Sequence, residues 1–128
     1  MENFFIEGKD LVPDISFDAE SGMMSIAGES CHEYTHEFFA PVFDWLARFL
    51  QEPGRKVQLD FKMAYFNTAS SKCFYEIIEL LHEYQQDNGG QVTINWHYEA
   101  SDMDMRETAM DYIEDSGHPV NLVAVNQI

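Results

Sequence analysis

The sequence predicts an α/β fold: a mixed β-sheet with helices mainly on one face, in the order β-β-α-β-α-β-α-β. Three observations lead there. Val57, Leu59, Phe61 and Met63 alternate with polar or small residues, and so do Val92, Ile94, Trp96 and Tyr98, which is the period of half-buried strands. Phe39, Val42, Phe43, Leu46, Phe49 and Leu50 recur at three- and four-residue spacing, as do Cys73, Phe74, Ile77, Ile78, Leu81 and Tyr84, which is the period of amphipathic helices. These helices lie between strands, which implies parallel pairing through right-handed crossovers.

Taken along the chain, Ile15 and Phe17 face Met24 and Ile26 across the turn-rich Asp18-Ala19-Glu20-Ser21-Gly22, a hairpin signal. Phe4-Phe5-Ile6 is a candidate for a further short strand before it. In the first helix, Pro41 fits the first turn or a kink, and Pro53-Gly54 closes the segment. Asn88-Gly89-Gly90 ends the second helix. Ser101-Asp102-Met103-Asp104 reads as the start of a third, acidic helix with Ser101 as its cap, and Val120 to Val125 as the last strand. No repeat, linker or low-complexity stretch divides the chain, so residues 1–128 are expected to form a single domain.

Composition narrows the function classes. The chain is 45% hydrophobic and carries ten Phe, six Tyr and two Trp, enough for a sizeable core. Seven Lys and Arg against 23 Asp and Glu leave a net charge of −16, a surface that repels nucleic acid and anionic lipid and suits a protein partner with a basic patch. No apolar run approaches the ~18 residues of a membrane span. Cys31 and Cys73 are too few for a disulfide framework, and Met1-Glu2-Asn3 lacks the basic start of a secretory signal, so a cytoplasmic protein is expected.

Three clusters are candidates for chemistry. Cys31, His32 and His36 have helical metal-ligand spacing but lack another firm ligand, so neither a metal nor another cofactor is expected. His97 and Glu99, with Asp102 and Asp104 nearby, carry the residue types of acid–base catalysis, and helix capping accounts for the aspartates equally well. The strongest candidate is Tyr65-Phe66-Asn67-Thr68-Ala69-Ser70-Ser71-Lys72, where a strand passes into a helix. There Thr68 is placed to be an N-cap, with Ser70 and Ser71 as solvated first-turn residues. The same place suits a phosphate: a phosphothreonine adds about −1.5 to −2 charges, which meet free N–H groups and the positive end of the helix dipole. Lys72, one turn on, is placed to pair with it.

Asp60-Phe61-Lys62-Met63-Ala64-Tyr65-Phe66-Asn67-Thr68-Ala69-Ser70-Ser71-Lys72 resembles the signature of the SiaC family of bacterial regulatory phosphoproteins. Val92-Thr93-Ile94-Asn95-Trp96-His97-Tyr98-Glu99, followed by Asp102-Met103-Asp104-Met105, and Phe38-Phe39-Ala40-Pro41-Val42-Phe43-Asp44-Trp45-Leu46 resemble it too, so the likeness spans nearly the whole chain. Ala69 stands where the family often has serine, and His97 where it often has an aromatic residue. The family resembles the STAS domains of anti-sigma-factor antagonists, so a STAS-like fold is implied. Also implied is a phosphorylation switch on Thr68, with Asn67, Ser70, Ser71 and Lys72 shaping the phosphosite and a partner-binding surface. The resemblance implies a cognate protein kinase and a PP2C-type phosphatase. It further implies a diguanylate cyclase that the unphosphorylated form binds and activates, so that cyclic-di-GMP output and biofilm formation follow the switch. A partner-switching protein with another output, or a small enzyme using His97 and Glu99, is the alternative.

Overall fold

The computed structural model describes all residues, Met1–Ile128. Its elements are β1 (Phe4–Ile6), β2 (Asp14–Phe17), β3 (Met23–Ser30), α1 (Thr35–Phe49), β4 (Lys56–Phe66), α2 (Thr68–Asn88), β5 (Gln91–Glu99), α3 (Met103–Ser116) and β6 (Asn121–Val125). The six strands form one sheet in sequence order. β1, β2 and β3 pair antiparallel, and β3, β4, β5 and β6 pair parallel, so the sheet is mixed as expected. Phe4-Phe5-Ile6 is a strand in its own right, which makes six strands where the expected order had five.

Each parallel step moves one place in the same direction, and right-handed crossovers then put α1, α2 and α3 on the same face of the sheet. The register shows what that face carries. Ile15, Ile26, Phe61, Trp96 and Leu122 stand side by side across successive strands, and Phe17, Met24, Leu59 and Ile94 form a parallel row. Helical residues spaced for one face fill the space above: Phe39, Val42, Leu46 and Phe49 from α1, and Phe74, Ile77, Ile78 and Leu81 from α2. At the centre Phe61 stacks on Trp96 with ring centroids 4.7 Å apart, and Phe74 meets Phe61 at 5.1 Å and Phe39 edge-on at 5.8 Å. Truncating any of these rings to alanine would cost about 3–5 kcal/mol, the usual toll of a large core cavity.

Local chemistry fixes the ends of the elements. Gly89 takes a left-handed conformation (φ 70°) as the C-cap of α2, and a Cβ on Gly90 would lie 2.2 Å from the Tyr84 ring. Pro41 stands well inside α1, beyond its first turn, where its missing N–H leaves the Glu37 carbonyl without the usual partner. The last strand begins at Asn121 instead of Val120. No helix is long and apolar enough to cross a membrane.

Candidate functional site

The carboxyl ends of β3, β4 and β5 open at one edge of the sheet, where α1, α2 and α3 begin. The joint between β4 and α2 lies there. β4 continues through Phe66, so the chain leaves the sheet at Asn67, whose backbone is extended (φ −91°, ψ 176°). The Asn67 side-chain oxygen accepts the Ser70 backbone N–H at 2.8 Å, and its own N–H donates to the Ser30 carbonyl at 3.0 Å. Asn67 is therefore the N-cap, not Thr68 as the sequence reading had it. Both residue types cap helices, and the amide oxygen of Asn67 reaches the third helical N–H from one position earlier.

Thr68 is displaced to the first position of α2, where its side chain is exposed and its hydroxyl has no hydrogen-bond partner in the protein. The N–H groups of Thr68 and Ala69 have no carbonyl to reach inside the helix, as for any first turn. No acidic residue stands in the first turn of α2, so the positive end of its dipole is uncompensated.

Ser70 departs from the sequence reading. It is fully buried, not solvated: its Oγ donates to the Ser30 carbonyl at 2.7 Å and lies 2.7 Å from the Ser30 Oγ. The third helical position points down onto the end of β3, so Ser70 bolts the joint to a strand 40 residues earlier. It belongs to the scaffold and not to a contact surface. Ser71 is half-buried, and its carbonyl accepts the Tyr112 hydroxyl of α3 at 2.7 Å. Lys72 is exposed and makes no ion pair. It lines a groove of about 410 Å³ between α2 and α3, together with Tyr75, Glu76, Tyr112 and Asp115.

The other candidate residues are already engaged. His32 Nδ1 accepts the Tyr34 N–H at 3.0 Å, and its ring packs against Phe38. His36 Nδ1 approaches the Cys73 sulfur at 4.0 Å, and burial, followed by the nearby Glu76 charge, pushes the Cys73 thiol up. No group of three His, Cys, Asp or Glu side chains is arranged to hold a metal ion. His97 and Glu99 do not converge. His97 Nε2 lies 3.0 Å from Asp60 Oδ1, and Glu99 accepts the backbone N–H of Ile128 at 3.2 Å.

Asp60 is a buried polar residue that no local sequence pattern marks. It sits on the sheet face away from the helices and also accepts from Asn95 (3.0 Å) and Gln58 (3.1 Å). Burial raises its pKa, but the bonds from His97, Asn95 and Gln58 outweigh that and hold the carboxyl below its ordinary value. At the start of α3, Asp102 and not Ser101 is the cap, accepting the Met105 N–H at 3.0 Å.

Comparison with known proteins bears on this arrangement. The family described as "SiaC family regulatory phosphoprotein" matches residues 6–125. An uncharacterized protein of Pseudomonas aeruginosa strain UCBPP-PA14 is 35% identical over 124 residues, which cover 97% of this chain and 98% of that protein. The crystal structure of apo-SiaC from Pseudomonas aeruginosa superposes with a TM-score of 0.86 at 34% identity, covering 97% of this chain and all of the other. SiaC from the same organism, crystallised in complex with the diguanylate cyclase SiaD that it activates, superposes with a TM-score of 0.87 at 33% identity, covering 95% and 99% of the two chains. With the match running almost from end to end, the chain belongs to the SiaC family of regulatory phosphoproteins.

Proposed function

We propose that the chain is a phosphorylation-switched interaction module in which Thr68 is the acceptor, and that its unphosphorylated form binds and activates a diguanylate cyclase. The observation that carries this reading is the state of Thr68: exposed, unbonded and set on the uncompensated start of α2 while Asn67 does the capping. A phosphate there meets two free N–H groups and the helix dipole without disturbing the cap. The likeness to a SiaC chain seated on its cyclase supports the choice of partner. A cognate kinase adds the phosphate and a PP2C-type phosphatase removes it. The module works in the cytoplasm, as one domain, and sets cyclic-di-GMP output and biofilm formation through what it binds. It is not itself an enzyme, a reading supported by the separate partners of His97 and Glu99.

Electrostatics gives the switch its direction. An interface that seats a neutral hydroxyl must desolvate nearly two charges once phosphate arrives, and the N–H groups and dipole at the start of α2, worth up to about 2 kcal/mol, offset only part of a burial cost of several kcal/mol per charge. About 3 kcal/mol weakens affinity more than a hundredfold. The test is a titration of the cyclase with wild type, Thr68→Ala and the phosphorylated protein, after mapping of the labelled residue. Wild type and Thr68→Ala should bind alike, and the phosphorylated form at least a hundredfold more weakly. Phosphate found on Ser71 in place of Thr68, or tightest binding by the phosphorylated form, overturns the proposal.

A further inference from the structure

The groove between α2 and α3 has a chemistry of its own. Its two aromatic walls, Tyr75 and Tyr112, meet edge to face with ring centroids 6.1 Å apart. Tyr112 is fixed from behind by its hydroxyl bond to the Ser71 carbonyl and by Trp96 at 5.6 Å, whereas Tyr75 is 36% exposed. Glu76 and Asp115 stand at the sides, exposed and without an ion pair. Burial, followed by the charge of Glu79, raises the Tyr75 phenol, and two unpaired carboxylates, Glu76 and Asp115, stand in the groove against the single ammonium of Lys72. Thr68, Lys72 and Tyr75 share one face of α2 at the i, i+4, i+7 spacing, so a partner laid over Thr68 also covers the groove.

Building on the reading that this end of α2 docks a partner, we propose that the groove is a slot for an arginine side chain of that partner, its guanidinium seated against Tyr75 and Tyr112 and paired with Glu76 and Asp115. A flat, weakly hydrated cation fits this site. Guanidinium stacks on aromatic rings and bonds to carboxylates with its edge, which a compact ammonium ion does less well. The chain's charge of −16 draws basic surfaces toward it. Tyr75 lies seven residues from Thr68, roughly 10 Å along the helix, so slot and switch are separate contacts.

Two measurements on the full chain test the slot. N-acetyl-arginine amide is titrated in while the ring signals of Tyr75 and Tyr112 are followed by NMR, with N-acetyl-lysine amide as comparator. Arginine should shift both rings saturably and at several-fold lower concentration than lysine, and the shifts should vanish in the double variant Glu76→Gln/Asp115→Asn. No response to arginine, a lysine response of equal strength, or an unchanged response in the double variant overturns the slot. The second measurement is binding to the diguanylate cyclase. The double variant should bind roughly tenfold more weakly, the scale of one desolvated cation–π contact with its carboxylates, with its melting curve unchanged. A double variant that binds the cyclase like wild type overturns the slot but spares the partner assignment. A cyclase that ignores even the wild type overturns the partner assignment, and the arginine titration then decides the slot alone.

Discussion

Two strand-to-helix joints open on the same edge of the sheet, and they are built alike up to one atom type. At the β4–α2 joint the Asn67 side chain accepts the N–H of Ser70, and at the β5–α3 joint the Asp102 side chain accepts the N–H of Met105. Both use an Asx residue to bond the third helical N–H. The β5–α3 joint then adds Asp104, so the positive end of α3 is met by two carboxylates. The β4–α2 joint has a neutral cap and no acid in its first turn. In a chain with 23 acidic residues, that gap is a place kept free of negative charge. The capping geometry is shared; what differs is whether the helix dipole has already been answered.

The largest loss is expected at Ser70, which has no counterpart at the other joint. Ser70→Ala removes a buried hydroxyl and leaves Ser30 Oγ without its partner, at a cost of about 1–3 kcal/mol in denaturant unfolding. A loss below a few tenths of a kcal/mol would mean that the bolt holds nothing. Next in size are the caps. Asn67→Ala and Asp102→Ala should each cost about 1 kcal/mol, the usual value of an N-cap, with the Asp102 loss shrinking at high salt and the Asn67 loss not. Equal salt dependence at the two joints would mean that their caps do not differ in charge.

A sharper test makes the joints identical. Asn67→Asp should stabilise the unmodified protein by about 0.3–1 kcal/mol, because a carboxylate now answers the dipole. It should also lower the yield of phosphorylation at Thr68, since the phosphate then meets a like charge one residue away. The smallest effect is expected at Thr68 itself: Thr68→Ala should leave the free energy of unfolding within about 0.5 kcal/mol of wild type, as suits an exposed residue without partners. A larger loss would give the hydroxyl a structural duty.

The sequence carried the parts of this site that depend on near neighbours. Alternation from Val57 to Met63 and helical spacing from Cys73 to Tyr84 placed the joint between Tyr65 and Lys72, and Asn88-Gly89 announced the end of the helix. The cap was misplaced by one residue because Asn67 and Thr68 both suit it, and only the exit of β4 at Phe66 decides between them. The same ambiguity moved the α3 cap from Asp102 to Ser101. Contacts across strands were out of reach. Nothing near Ser70 marks it as buried, because its partner is Ser30, and nothing near Asp60 announces His97, which adjoins it only through the parallel register of β4 and β5. At three residues, β1 was too short for periodicity to establish.

The bolt between Ser30 and Ser70 also bears on how a kinase would have to approach the proposed acceptor. Many kinases take their target as an extended segment threaded through a cleft. Thr68 has no such segment to offer: Asn67 is tied to Ser30, Ser70 is locked beneath it, and the chain on either side is already strand or helix. Pulling Thr68 into an extended form would mean peeling the end of β4 from β3 and unwinding the first turn of α2. An enzyme that modifies Thr68 therefore has to recognise a folded face of the molecule, and an excised peptide of the same sequence offers it little to hold.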